Sequence, residues 1–286
     1  MKDNENFFEI HVDGELAGLR LDQVMASRVS RRFARRLIDA GAVFVDRQRV
    51  KVASRPVYAG SVVKAPFMLP EQALGAGDAR DWILAQEPRW VVVNKPAGWA
   101  TAPTALGDSS VVTELQKNLG QLWIVSRLDF HTSGVLPLVR DPKILKDFED
   151  LLHSQACIKE YAAVTRRCDL GASMIDLPLG PHPVTPQRFV VREDGRPART
   201  EVLGVTPLPE DRQLVRLRLH TGRTHQIRVH LAHLGAPVDG DPWYPVGEAT
   251  GAGPMMLHAC RLSWTSPIFG EVDVFVPPPW MPQLVR

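Results

Sequence analysis

The chain has 286 residues, 44% of them hydrophobic and 23% charged, with a formal net charge of +2, which fits about two globular domains and excludes a disordered or fibrous protein. No run approaches the roughly 20 apolar residues that cross a bilayer, and the N-terminus lacks a signal-peptide pattern, so the expected compartment is the cytoplasm with no membrane partner. Cys157, Cys168 and Cys260 suggest neither a disulfide framework nor a paired-cysteine zinc site, and the 24 prolines favour short strands and loops.

The small net charge conceals an asymmetry. Residues 18 to 64 hold eleven Lys or Arg against three Asp, a local +8, which points the first part of the chain at a polyanion. Leu21, Val24 and Met25 follow helical spacing. Ser30 can cap a second helix from Arg31 to about Ala40, with Gly41 at its end. On that helix Arg31, Arg32, Arg35 and Arg36 fall opposite Phe33, Ala34, Leu37 and Ile38. Four arginines against one carboxylate, Asp39, favour nucleic-acid contact over a merely solvated face. Val43 to Val52 reads as a hairpin turning at Asp46-Arg47-Gln48-Arg49, and residues 69 to 80 read as a linker.

Beyond residue 81, Trp90 to Val93 predicts a short strand entering Asn94-Lys95-Pro96-Ala97-Gly98, where Lys95 could meet phosphate. In Ser126-Arg127-Leu128-Asp129-Phe130-His131-Thr132-Ser133-Gly134, an extended Arg-Leu-Asp holds a carboxylate at a bend. Taken alone, that pair reads first as an ordinary ion pair. Tyr161 opens a strand at Lys159-Glu160-Tyr161. Thr221 to Gly235 predicts a helix capped by Thr224, with Arg223 just ahead of its N-terminus, placed for a phosphate or a buried carboxylate. His225 and His230 lie about 140° apart on such a helix, so no metal is expected, and no nucleophile elbow, phosphate loop or dinucleotide fingerprint occurs. What remains is a cofactor-free chemistry built on Asp, Arg and Tyr.

Two resemblances follow from these motifs. Gly18-Leu19-Arg20-Leu21-Asp22, the arginine-rich helix and Gly41-Ala42-Val43-Phe44-Val45-Asp46 resemble the S-four-like RNA-binding domain, expected over 10–68. Asn-Lys-Pro-Ala-Gly, Arg-Leu-Asp-x-x-Thr-Ser-Gly, Lys-x-Tyr, the run from Thr221 to Gly235, Gly240-Asp241-Pro242 and Leu257-His258-Ala259 resemble the RluA-type pseudouridine synthases, expected over 81–286. The pattern departs at Ser126, where that family usually has His.

The resemblance implies an α+β catalytic domain with a mixed, mostly antiparallel sheet, and a monomer that isomerises uridines in structured RNA, ribosomal or transfer. It implies Asp129 as catalytic carboxylate, Tyr161 as the ring stacked on the uracil, Arg223 as the partner that orients Asp129, and Arg127 as the side chain entering the RNA. An inactive RNA-binding protein of the same fold is the alternative. The chemistry agrees: breaking the sugar–base bond and rejoining it through carbon gains and loses no group, and a flipped base needs an aromatic platform.

Overall fold

In chain order the first elements are β1 (Phe7–His11), α1 (Leu21–Val24) continuing as a 3₁₀ turn Met25–Ser27, α2 (Arg31–Asp39), β2 (Val43–Val45), β3 (Gln48–Val50) and β4 (Val62–Pro66). This computed structural model describes residues 7–29, 31–39, 42–66, 78–103, 110–171, 173–185, 188–244 and 254–281, and only the backbone at 7, 32, 33 and 36. The chain divides into two compact units, Met1–Gly77 and Asp78–Arg286.

In the first unit the strands form an antiparallel sheet ordered β1-β4-β2-β3. The apolar stripes seen in the sequence become its core, with Leu21, Val24, Met25, Ala34, Leu37 and Ile38 fully buried. The β2–β3 turn is tighter than the four residues expected. Asp46 (φ 51°) and Arg47 (φ 67°) make it alone, because two left-handed residues match the strand twist and Gln48 already pairs with Val45. Of the expected linker, residues 69–77 lie outside the described residues, and Ala79–Trp82 forms a 3₁₀ turn capped by the Asp78 carboxylate.

The second unit contains β5 (Ile83–Gln86), β6 (Trp90–Lys95), α3 (Val111–Leu119), β7 (Trp123–Ile124), β8 (Ser133–Val139), α4 (Leu145–His153), β9 (Cys157–Arg166), β10 (Met174–Asp176), β11 (Leu179–Pro181), β12 (Phe189–Val191), β13 (Arg199–Leu208), β14 (Arg212–Leu219), α5 (Gln226–His233), β15 (Leu257–Ser266) and β16 (Gly270–Phe275). Among the described residues, one large sheet runs β10-β13-β14-β9-β15-β8-β6-β5, with β16 on β15 and β7 on β8, and β11–β12 form a separate hairpin. The β15–β8 pairing is parallel and the other pairings are antiparallel, so the expected α+β class with a mixed, mostly antiparallel sheet is observed.

Central β8 is buried at every residue, as a strand covered on both faces must be. On one side Trp90, Phe148, Trp264 and Phe269 pack edge to face at 4.9 to 5.4 Å. Elsewhere Ile227 and Leu231 of α5 pack with Val202, Val215, Leu217 and Leu257 of the sheet. Gly134 opens the way for β8 and β15 to meet. At φ 114°, a Cβ there would stand 2.1 Å from the Ala259 carbonyl oxygen. His258 pins the same junction: its Nε2–H reaches the Val276 carbonyl at 3.1 Å, leaving Nδ1 to accept from the Ser133 hydroxyl at 2.8 Å.

Candidate active site

The loop from Val125 to Thr132 leaves β7, passes Asp129 and enters β8. Lys95, at the end of β6, holds it from below. The Lys95 side chain is fully buried, and its Nζ donates to the carbonyls of Pro96 (3.0 Å), Phe130 (3.2 Å) and Thr132 (2.7 Å). Three carbonyls match the three protons of an ammonium, although burial pushes Lys95 down to about 7. The expectation of a phosphate-binding Lys95 is therefore corrected: the side chain that a turn would have exposed is a strut inside the Asp129 loop. Thr101 braces the opposite side, donating its hydroxyl to the Leu128 carbonyl at 3.0 Å.

Asp129 keeps 21% of its side chain exposed, enough to be reached by a ligand. Its Oδ2 accepts from Arg228 Nη1 at 2.8 Å, and Arg228 turns its other edge onto Asp241, with Nε to Oδ2 at 2.8 Å and Nη2 to Oδ1 at 2.9 Å. A guanidinium with a 3% exposed side chain thus bridges two carboxylates. Asp241 is fixed further by the N–H groups of Trp243 (2.8 Å) and Tyr244 (3.2 Å). Gly240 (φ 75°) makes this turn possible, since a Cβ there would meet the Pro254 carbonyl oxygen at 2.3 Å. The Tyr244 and Trp243 rings lie 5.1 and 5.9 Å from the guanidinium carbon.

These neighbours set the charge state. Burial pushes the Asp129 carboxyl up, but the Arg228 guanidinium that donates to it and the Lys95 charge outweigh burial and hold the group below the usual carboxylate range. Asp241 follows the same direction, with Arg228 and two N–H donors opposing burial. Arg228 is held above the ordinary arginine value by its two carboxylates, against the effect of burial. His131, pushed down to about 3 by burial and by Arg228, is neutral.

Arg223 is not the partner of Asp129, and that expectation is corrected. Its Nε donates to the Pro197 carbonyl at 3.0 Å, while Arg228, the third residue of α5, reaches the carboxylate. The cause is the helix start. Thr224 does not cap α5; His225 does, in a left-handed conformation (φ 57°, ψ 19°), and Gln226 folds back so that its Oε1 accepts from Arg223 N–H (3.0 Å) and the Thr221 hydroxyl (2.7 Å). Arg223 is thereby turned toward Pro197. Residues Gln226 to Leu231 are all buried, so an arginine among Ile227, Val229 and Leu231 needed a carboxylate partner. That was the overlooked signal for Arg228, and Gly240-Asp241-Pro242 supplied the second acid.

Tyr161 lies in β9 opposite Leu217 of β14 and Ala259 of β15. Burial, then the nearby Asp129 charge, push its phenol above the ordinary tyrosine value, so it stays protonated beside the carboxylate. Arg127 is exposed two residues before Asp129. His230 is committed to packing, with Nδ1 on the Thr200 hydroxyl (2.9 Å) and Nε2 on the Leu177 carbonyl (2.9 Å). No cluster of three or more His, Cys, Asp or Glu that could hold a metal occurs among the described residues, and none of the described helices is long and apolar enough to cross a membrane.

In the first unit, Asp22 has a fully buried side chain. Its Oδ1 accepts from Arg20 Nε (3.0 Å), and its Oδ2 accepts from Arg20 Nη2 (3.3 Å), Arg31 Nε (3.3 Å) and Arg35 Nε (3.0 Å). Burial opposes ionisation, yet these donors bring Asp22 down to about 2. Arg31 and Arg35 therefore share a carboxylate the helical-wheel argument had not counted, while the side chains of Arg32 and Arg36 lie outside the described residues.

A family model described as RNA pseudouridylate synthase matches residues 89–233, and an S4 domain model matches 19–63. The chain is 30% identical over 297 residues to a ribosomal large subunit pseudouridine synthase D from Nitrosomonas europaea, covering 97% of this chain and 86% of that one. It is 35% identical to the dual-specificity RNA pseudouridine synthase RluA of Escherichia coli, over 68% of this chain and 92% of that one. Among solved structures, human RNA pseudouridylate synthase domain containing 1 aligns with a TM-score of 0.61 and 27% identity, over 73% of this chain and 88% of that chain. These matches show that the chain belongs to the RNA pseudouridine synthase family, a family of isomerases, and carries an S4 RNA-binding domain at its N-terminal end.

Proposed function

We propose that this enzyme isomerises specific uridines of ribosomal RNA to pseudouridine, with Asp129 as the catalytic carboxylate. The observation that carries the reading is Arg228 Nη1 on Asp129 Oδ2 at 2.8 Å, which keeps a partly shielded carboxylate ionised and aimed. An anionic oxygen has two routes at the flipped nucleotide. It attacks C1′, or it removes the C2′ proton, and either route breaks the C1′–N1 bond and frees the uracil with the bonding electrons on N1. The ring then turns and C5 bonds to C1′, as the Asp129–C1′ ester bond breaks on the first route or C2′ regains its proton from Asp129 on the second. The C5 proton is lost, N1 regains one, and no oxidant, metal or transferred group enters the balance.

Tyr161 supplies the ring on which the extruded uracil stacks, and exposed Arg127 fills the gap the base leaves in the RNA. Arg31 and Arg35, each about half exposed around Asp22, face the RNA backbone with their remaining N–H groups. The ribosomal target is supported by the named action of the Nitrosomonas relative.

The test uses the full chain, EDTA and a large-subunit ribosomal RNA transcript labelled with tritium at uracil C5, with labelled transfer RNA alongside. Tritium release from the ribosomal transcript is expected, because that proton leaves when C5 bonds to the sugar. Salt-sensitive binding of either RNA without tritium release would instead favour an inactive RNA-binding protein.

A further inference from the structure

Beside Asp129 lies an arrangement that the proposed reaction has not used. Tyr244 Oη accepts the backbone N–H of Phe189 at 2.9 Å and stands 2.6 Å from His225 Nδ1. On the far side of the same ring, His225 Nε2 is 4.0 Å from Asp129 Oδ2. His225 is fully buried, is held in the left-handed region at the N-terminus of α5, and is ringed edge-on by Trp243, Tyr244 and Phe189 at centroid distances of 5.2, 5.5 and 6.2 Å. A left-handed histidine is costly backbone, and such strain persists where the surroundings over-determine it.

The hydrogen-bond partners point to one placement of the protons. A tyrosine hydroxyl has one proton, and burial keeps the Tyr244 phenol protonated. Oη accepts from Phe189, and His225 Nδ1 at 2.6 Å is in reach of its own proton, the arrangement in which Nδ1 is the acceptor. A neutral imidazole that accepts at Nδ1 carries its hydrogen on Nε2, the nitrogen turned toward Asp129. We propose that Tyr244 and His225 are positioning residues: Tyr244 fixes the imidazole tautomer, and His225 presents Nε2–H to Asp129 Oδ2. Arg228 and His225 then both address Oδ2 and leave Oδ1 as the oxygen that acts on the sugar. Through the Phe189 N–H, the chain ties the β11–β12 hairpin to the orientation of the carboxylate. This rests on Asp129 being the catalytic carboxylate, as proposed above.

The tests are Tyr244→Phe, which keeps the ring and removes the hydroxyl, and His225→Asn, which tolerates the left-handed backbone and removes Nε2. Asp129→Asn is assayed beside them on the tritium-labelled ribosomal transcript. Both variants should lose about tenfold or more in kcat with KM within twofold of wild type, since a misaimed carboxylate slows chemistry and leaves RNA binding intact. Nitrogen-15 spectra of histidine-labelled wild-type protein should show His225 with Nδ1 bare and Nε2 protonated, and Tyr244→Phe should relax that to a tautomer mixture. Wild-type kcat in both variants while Asp129→Asn is inactive would overturn the positioning role alone, and so would a protonated Nδ1 in the wild type. A wild-type rate from Asp129→Asn would instead remove the reading beneath it.

Discussion

At Asp22 one buried carboxylate gathers Arg20, Arg31 and Arg35, whose side chains keep 42, 51 and 54% of their surface, whereas at Arg228 one buried guanidinium gathers Asp129 and Asp241. The stoichiometry is inverted, and so is the surplus. The first cluster has two positive charges to spare and shows them to solvent, where a polyanion can collect them. The second has one negative charge to spare and places it on Asp129 in a shielded site. The same pair of residue types therefore builds an attractive surface in one unit and a reactive group in the other, and burial of the minority partner orders both.

Breaking the inner cluster should cost most. Arg228→Met leaves two buried carboxylates without their cation and should destabilise the second unit by about 3–5 kcal/mol in urea denaturation. Arg223→Ala removes an arginine whose side chain, among the described residues, donates to the Pro197 carbonyl, and should stay within about 0.5 kcal/mol of wild type, a contrast that sharpens which arginine serves Asp129.

Next comes Lys95→Met, which strips the donor from three carbonyls of the Asp129 loop and should cost roughly 1–3 kcal/mol, read by the same denaturation at pH 6. Lys95 also gives a pH signature. Its folded value of about 7 lies below the ordinary 10.5, so between the two the unfolded chain binds more protons and wild-type stability should rise with pH, a rise the variant lacks.

The outer cluster should break more gently. Arg31→Ala and Arg35→Ala should each weaken RNA binding a few-fold and make the slope of log affinity against log salt shallower by about 0.9, measured by salt titration. The smallest effect is confined to acid. Asp22 is lowered from 3.8 to about 2, so its contribution is complete above pH 3.8 and is lost as pH falls toward 2, and Asp22→Asn should flatten that part of the acid unfolding curve.

The sequence announced what depends on local pattern. The Arg31–Asp39 helix, the Trp90–Lys95 strand and the Asp129 bend were legible because periodicity and turn residues determine them over a few positions. Choosing between Arg223 and Arg228 was not legible. The choice depends on a left-handed histidine and a folded-back Gln226, neither of which has a spacing signature. Lys95 was misread for a similar reason: a lysine beside Pro-Ala-Gly looks like an exposed turn until the Phe130 and Thr132 carbonyls, 35 and 37 residues away, arrive to meet it. The Asp22 cluster was half visible, since the arginines stood out while the acid thirteen residues from Arg35 belonged to another helix.

The account stands most directly on single-turnover tritium release by Asp129→Asn, a nearly isosteric change that keeps the loop and removes the charge. Release slowed at least about a thousandfold, with the urea transition of the second unit intact, is the expected result. Release within about tenfold of wild type would mean that some other group opens the sugar–base bond.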